Sequence, residues 1–313
     1  MFDPSIGRWL EEDPVGFEAG DPNLARYAGN DPTNGTDPTG LKVKINGQNA
    51  DKDALIKALL ALKPAYPTLN KMIAEAIFDN SYLFDYKSEK QFQNDVRIRA
   101  VILTTQFAIQ EVMKHGFVND GKSLTWVDEK TSKYWRNTQI KEFRGINWGI
   151  IAKDPSHPEK ALLEIVSNKS DPESPWFRMD CASAYKVSEY LAFVKVLGED
   201  WFKQTYPNLI IFGPHDPNKQ SSLGLWTWQD RPPIPGDVMA FENKGGKVGY
   251  TGENATFIGE FNGIKTYFAF PFGKGTQKEI EEWLDKNRAR FALNKARLLP
   301  TPLYINYKKI PWE

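Results

Sequence analysis

The stretch "MDCASAYKVSEYLAFVKVLG" holds Cys181, the one cysteine in 313 residues. After it, Ala184, Val187, Leu191, Val194 and Leu197 recur at three- or four-residue spacing and Gly198 follows, which predicts an amphipathic helix with Asp180 as its N-cap. Cys181 then falls in the first turn. There the positive end of the helix and its unpaired backbone N–H groups lower a thiol pKa and can bind an oxyanion, as a nucleophile requires. The other fate of a lone cysteine is burial as a small inert hydrophobe, and position alone does not separate the two. A nucleophilic thiol also needs a base and an orienting group from elsewhere in the chain.

The elements that must supply them read as follows. From Asp51 to about Met113 the pattern is helical: Leu55, Leu59 and Leu62 share one face, as do Val96, Ala100 and Leu103, then Phe107, Ile109 and Met113, with Pro64 and Pro67 breaking the region into at least two helices. "KSLTWVDEKTSKYWRN" reads as a hairpin, and the segment from Ala152 to Phe177 as a loop holding one short helix. Beyond the Cys181 helix, "PIPGDVMAFEN" is a turn and an alternating strand, and "GENATFIGE" and "IKTYFAFPF" are two more, placing strands near 237–242, 255–260 and 264–270. The sum is an α+β fold: a cysteine-bearing helix on an antiparallel sheet, with a helical half before it.

Composition bounds the partners. Lys+Arg 40 balances Asp+Glu 40, so no basic field draws in nucleic acid, and there is no Lys/Arg run, zinc-spaced Cys/His pair or phosphate-binding glycine loop. No stretch approaches the roughly 20 apolar residues of a membrane span. The N-terminus lacks the basic-then-apolar build of a signal peptide. Neither a metal nor a cofactor is expected.

Residues 1–41 have a different grain, with Asp-Pro five times, many glycines and Trp9, Leu10, Phe17, Leu24 and Tyr27 as spaced anchors. "DPSIGRWLEEDPVGF" followed by "NLARYAGNDPTNGTDPTGL" resembles the C-terminal end of an Rhs-repeat core. That resemblance implies a β-repeat shell around a variable effector, with self-cleavage after the final DPxGL motif. Carried over, the cleavage aspartates are Asp13 in "DPVG" and Asp37 in "DPTG", and the junction is Leu41–Lys42. With the shell itself absent, the two carboxylates lack the scaffold that would hold them together, so this segment is expected to stay uncut. The expected domains are therefore 1–41, an Rhs core segment, and 42–313, the effector.

The order of helix and strands in the effector is that of papain-like hydrolases, and "PGDVMAF" resembles the strand after the nucleophile helix in cell-wall endopeptidases of that group. Those enzymes carry a histidine on the next strand, whereas here it begins Gly252-Glu253-Asn254. The paired signatures "DCASA" and "GENATFIGE" resemble the spore-type bacterial protein-glutamine gamma-glutamyltransferases. The likeness extends through "LNKMIAE", "FDY" and "YWRN" upstream, and through "GDVMAFEN" and "KEIEEWLDKNR" downstream. It implies a papain-like transglutaminase core in which Cys181 attacks a glutamine γ-carboxamide, releases ammonia and forms a thioester. Glu253 becomes its base, and Asp180 a second, partly redundant acid. Trp126 and Tyr250 are candidate walls of a dry channel for the lysine amine. His215 matches a family histidine, while Phe270 stands where the family has one.

These resemblances imply an Rhs-delivered toxin that acts in a recipient cell's cytosol on protein glutamine and lysine side chains, with the Rhs shell as partner before release and an immunity protein as a further partner. Three other readings stay open: a glutamine deamidase using water, a papain-like cysteine peptidase, and a non-catalytic binding module in which Cys181 is packing.

Overall fold

The structure, a computed structural model, describes residues 2–3, 8–9, 43–80, 82–113, 125–142, 145–167, 177–211, 226–228, 231–243, 252–270, 272–286, 296–299, 303–305 and 308. Asp13, Asp37, the Leu41–Lys42 junction, His215 and Tyr250 lie outside the described residues. The chain divides into two compact units, Met1–Glu89 and Lys90–Glu313.

In the first unit, β1 (Phe2–Asp3) pairs with β2 (Arg8–Trp9). β3 (Lys44–Ile45) turns into β4 (Gln48–Asn49) through Asn46 and Gly47, both at positive φ (52° and 76°), as a tight two-residue hairpin requires. Two helices follow, α1 (Lys52–Ala61) and α2 (Pro67–Phe78), and β5 (Asp85–Tyr86) returns parallel to β3. The Asp51 side chain caps α1 by accepting the Ala54 N–H at 3.0 Å. Leu55, Leu59, Ile73, Ala74 and Ile77 form the buried face. The region is broken into separate helices where the prolines stand: Pro64 lies in the gap, and Pro67 opens α2, where a first-turn N–H has no intrahelical partner to lose. One detail differs from the sequence reading: Leu62 caps the end of α1 and stands 51% exposed, having left the helical stripe.

The second unit contains α3 (Glu89–Met113), β6 (Trp126–Val127), β7 (Trp135–Glu142), β8 (Gly145–Ala152), α4 (Pro158–Val166), β9 (Phe177–Arg178), α5 (Cys181–Leu197), α6 (Glu199–Thr205), β10 (Ile210–Ile211), β11 (Trp226–Trp228), β12 (Val238–Glu242), β13 (Gly252–Phe261), β14 (Ile264–Ala269), β15 (Gly273–Thr276), α7 (Gln277–Lys286), β16 (Arg297–Leu298) and β17 (Leu303–Ile305). The expected hairpin forms one element later than read. β7 pairs antiparallel with β8, and β6 pairs with β9. The cause is Asn137 on β7, whose side chain accepts the Val127 N–H and donates to the Val127 carbonyl, both at 2.9 Å, in place of a backbone ladder.

The main sheet runs β11-β17-β12-β13-β14-β15, with β16 also on β12. Strand alternation gives its central strands two working faces. On one face Met239, Phe241, Ala255, Phe257, Tyr267 and Ala269 close over Ile280 and Leu284 of α7. On the other, Thr256 bonds Gln106 of α3, Phe268 meets Phe107 of α3 edge-on at 4.9 Å, and Asn254 meets Cys181 of α5.

The expected amphipathic α5 is instead enclosed on every side: Ala182 to Val194 are all buried, Ser183, Lys186, Ser188 and Glu189 among them. It packs against α4, α6, β10 and β13. Its later turns are held by Tyr190 and Phe193 against Trp201, Phe202 and Tyr206, with ring centroids 4.7–6.4 Å apart. Gly198 ends it at φ 94°.

A buried ionic knot ties α3 to the turn before β12. Arg99 donates to Asp95 at 2.8 Å and to Asp237 at 2.7 Å, Arg231 donates to both Asp237 oxygens at 2.7 and 3.0 Å, and the Ile234 N–H adds a bond at 2.9 Å. Gly236 in that turn stands at φ 95°, and a Cβ there would lie 2.8 Å from the Arg99 Cβ. Removing the carboxylate strands buried guanidinium charge. Asp237→Ala is therefore expected to lower unfolding free energy by about 3–5 kcal/mol, read by urea titration. A change within ±0.5 kcal/mol would mean that the knot contributes no net stability.

Candidate active site

Asp180 adopts extended backbone geometry (φ −80°, ψ 170°), and its Oδ1 accepts the Ser183 N–H at 2.7 Å, so it is the N-cap that the sequence requires. Cys181 is the first residue of α5 and half-buried. The first turn is held from outside as well, the Ser183 and Thr125 hydroxyls lying 2.6 Å apart.

Opposite it, β13 starts Gly252-Glu253-Asn254, with Glu253 paired to Phe241 and Asn254 to Ala240 of β12. The glycine has a steric reason, since a Cβ at 252 would stand 2.8 Å from the Phe241 carbonyl oxygen and push the two strands apart. Glu253 and Asn254 both reach the thiol. Asn254 Nδ2 lies 3.9 Å from Sγ, and the buried Glu253 carboxylate, its neighbour on β13, is close enough to the thiol for each group to shift the other's protonation.

The electrostatics differ from the expectation of a helix terminus that depresses a thiol pKa. Burial pushes the Cys181 thiol well above its ordinary value, and the charges of Glu253 and then Asp180 push it further. Burial also raises Glu253 well above the ordinary carboxyl range, partly offset by its hydrogen bonds with the thiol and with the Asn254 and Phe270 amides. Its Oε1 is buried with no hydrogen-bond partner among the described residues. Asp180 is raised by burial too, although its capping bonds hold it down. Two carboxylates around a thiol in a poorly solvated site cannot stabilise a resting thiolate. They can hold a neutral thiol and accept its proton when a substrate takes the sulfur's electrons.

Sγ faces a small cleft lined by Gln106 and Ile109 of α3, Ala184 and Tyr185 of α5, Asn254 of β13, and Phe268 and Phe270 at the end of β14. Phe270 is 4% exposed and so forms a wall of this cleft. Trp126 is half-buried on β6, opposite Arg178, and is not one of the lining residues. The structure thus brings together Cys181, Asp180, Glu253 and Phe270. Asn254 and Gln106 are the two polar lining residues missed in the sequence. Asn254 could have been found from the Gly-Glu-Asn triplet, whereas Gln106 carries no local signal on α3.

Glu253 gives this site a testable cost. Its pKa is higher folded than unfolded, so the folded chain binds the extra proton. The associated stability is complete below the ordinary carboxyl range and is lost as pH rises through the raised value. Glu253→Gln removes that loss, and its Tm is expected to exceed wild type at pH 8 but not at pH 4. The same substitution removes a charge that opposes thiolate formation. The pH midpoint of Cys181 alkylation by iodoacetamide should therefore fall. A midpoint that stays or rises would show that the two groups do not interact.

Comparison with known proteins agrees with this geometry. The family described as "Protein-glutamine gamma-glutamyltransferase" matches residues 43–311. The protein-glutamine gamma-glutamyltransferase of Bacillus subtilis (strain 168) is 26% identical over 235 residues, covering 74% of this chain and 84% of its own length. That of Halalkalibacterium halodurans is 23% identical over 239 residues, covering 74% and 73%. Among solved structures, a transglutaminase from Geobacillus stearothermophilus without its C-terminal extension superposes with a TM-score of 0.51 at 20% identity, covering 70% of this chain and 95% of that one, which establishes the shared fold. With a thiol and a buried carboxylate brought to the start of α5 and β13, and a family match over residues 43–311, the chain belongs to the protein-glutamine gamma-glutamyltransferases, an acyltransferase family.

Proposed function

We propose that this chain is the transglutaminase effector of an Rhs-type toxin, with Cys181 as nucleophile, Glu253 as its principal base and Asp180 as an auxiliary acid. The observation that carries the catalytic part is that the start of β13 meets the first residue of α5, Asn254 lying 3.9 Å from the Cys181 Sγ with the buried Glu253 carboxylate beside it. Sγ attacks Cδ of a substrate glutamine as the thiol proton passes to Glu253. The carbonyl oxygen takes up the displaced electron pair. Collapse expels the amide nitrogen, which receives the proton from Glu253 and leaves as ammonia, and a thioester remains. A lysine Nζ then attacks the thioester, its proton passing to Glu253. Sγ leaves and regains that proton, and an isopeptide bond is formed.

Ile109, Phe268 and Phe270 give the cleft apolar walls, which favour an amine over water as the second nucleophile and so transamidation over deamidation. The peptidase reading lacks a base of the usual type, since no histidine occurs from Gly252 to Phe270. The toxin role rests on the DPxG-bearing segment 1–41. In that reading an Rhs shell holds the effector until release, the recipient's cytosol is the place of action, and an immunity protein protects the producer.

Amine incorporation into a glutamine peptide tests the catalytic assignment. Cys181→Ala is expected to be inactive, and Glu253→Gln to lose about 10²-fold or more in kcat. Asp180→Asn keeps a capping side chain, so it should fold normally and lose about 10-fold, while the double variant should be nearly inactive because the two share one role. Full activity in Cys181→Ala would overturn the assignment. Separately, the chain should remain intact through long incubation. Cleavage after Leu41 would show that Asp13 and Asp37 act without a shell.

A further inference from the structure

Gln106 is 7% exposed on α3, a polar side chain facing a cleft whose other α3 contribution is Ile109. Its Oε1 accepts a hydrogen bond from the Thr256 hydroxyl at 2.9 Å, and Thr256 is itself only 1% exposed on β13. A planar carboxamide held by its oxygen has its nitrogen turned the other way. Gln106 Nε2 has no hydrogen-bond partner among the described residues, and it is not one of the buried, unbonded atoms. Nε2 is therefore accessible, on a residue that lines the cleft shared with Cys181.

A glutamine carboxamide entering this cleft gives up water at its carbonyl oxygen, and Ile109, Phe268 and Phe270 side chains offer nothing in return. The side-chain amides that can donate are Asn254 Nδ2, 3.9 Å from the sulfur, and Gln106 Nε2 on α3. When Sγ adds to Cδ, that oxygen becomes an oxyanion, and a donor already aimed at it lowers the barrier more than it lowers the ground state.

We infer that Gln106 binds the carbonyl oxygen of the substrate carboxamide through Nε2–H, and that Thr256 is a positioning residue that fixes which end of the Gln106 amide faces the cleft. The inference rests on Cys181 being the acylated nucleophile. It adds a substrate contact on α3, a helix that carries neither the thiol nor its base, and it accounts for a buried glutamine–threonine bond that packing alone does not require.

Single-turnover acylation by a glutamine peptide, run beside iodoacetamide alkylation, tests it. Gln106→Leu is expected to slow acylation by about 10²-fold while the alkylation rate stays within about twofold, because the donor serves the substrate oxygen and not the thiol. Gln106→Glu keeps an oxygen for Thr256 but replaces the donor, and should be at least as slow in acylation. Thr256→Val frees the amide to turn over and should cost about 3- to 10-fold, roughly one lost hydrogen bond, with Thr256→Ser restoring the rate. Wild-type acylation by Gln106→Leu or Gln106→Glu beside an inert Cys181→Ala overturns this inference alone, as does an equal loss of acylation and alkylation in Gln106→Leu. Activity in Cys181→Ala overturns the nucleophile and this inference with it.

Discussion

Enclosure of α5 is the constraint on which the rest of the site depends. A helix buried through Ala182–Val194 cannot turn or slide without opening contacts on several sides at once, so its first residue is fixed relative to the sheet. The Asp180 cap and the Thr125–Ser183 contact hold the entering turn. At the far end, Tyr190 and Phe193 are locked among the α6 aromatics. The start of β13 is equally constrained, because Gly252 lets it approach the Phe241 carbonyl more closely than any residue with a side chain could. The thiol and the carboxylate meet because two rigid elements bring them together.

The same enclosure sets the chemistry. Water around Cys181 and Glu253 would solvate a carboxylate and return its pKa to the usual range, leaving too weak a base to take a proton from a thiol. Burial raises both groups. The result is a neutral thiol beside a proton acceptor, in contrast to a thiolate paired with an imidazolium. The cost is folding stability, since a buried carboxylate with an unbonded oxygen opposes the fold at neutral pH.

Much of this was legible in the residues, for identifiable reasons. Asp180, Cys181 and Gly198 mark a helix start and end by local chemistry, so the cap, the first-turn thiol and the terminus all stand where the pattern puts them. The β12, β13 and β14 strands follow from alternation and intervening turns. Global burial was not legible: the apolar spacing of α5 suggests one buried face, and only the surrounding elements reveal that Lys186 and Glu189 are buried as well. The β7–β8 hairpin was displaced because a single side chain, Asn137, captures the β6 backbone. The direction of the thiol pKa was misread because a helix terminus is local, whereas the opposing carboxylate arrives from β13. Gln106 was invisible for the same reason, its meaning coming from Thr256 on a distant strand.

The most direct measurement of the central claim is the intact mass of the protein after brief incubation with a glutamine peptide and no amine, followed by acid quench and peptide mapping. The expected result is one added peptide less ammonia, located on Cys181, labile to hydroxylamine and absent from Cys181→Ala. Turnover of the glutamine with no adduct at any time, or an adduct on another residue, would contradict a thioester mechanism at this site.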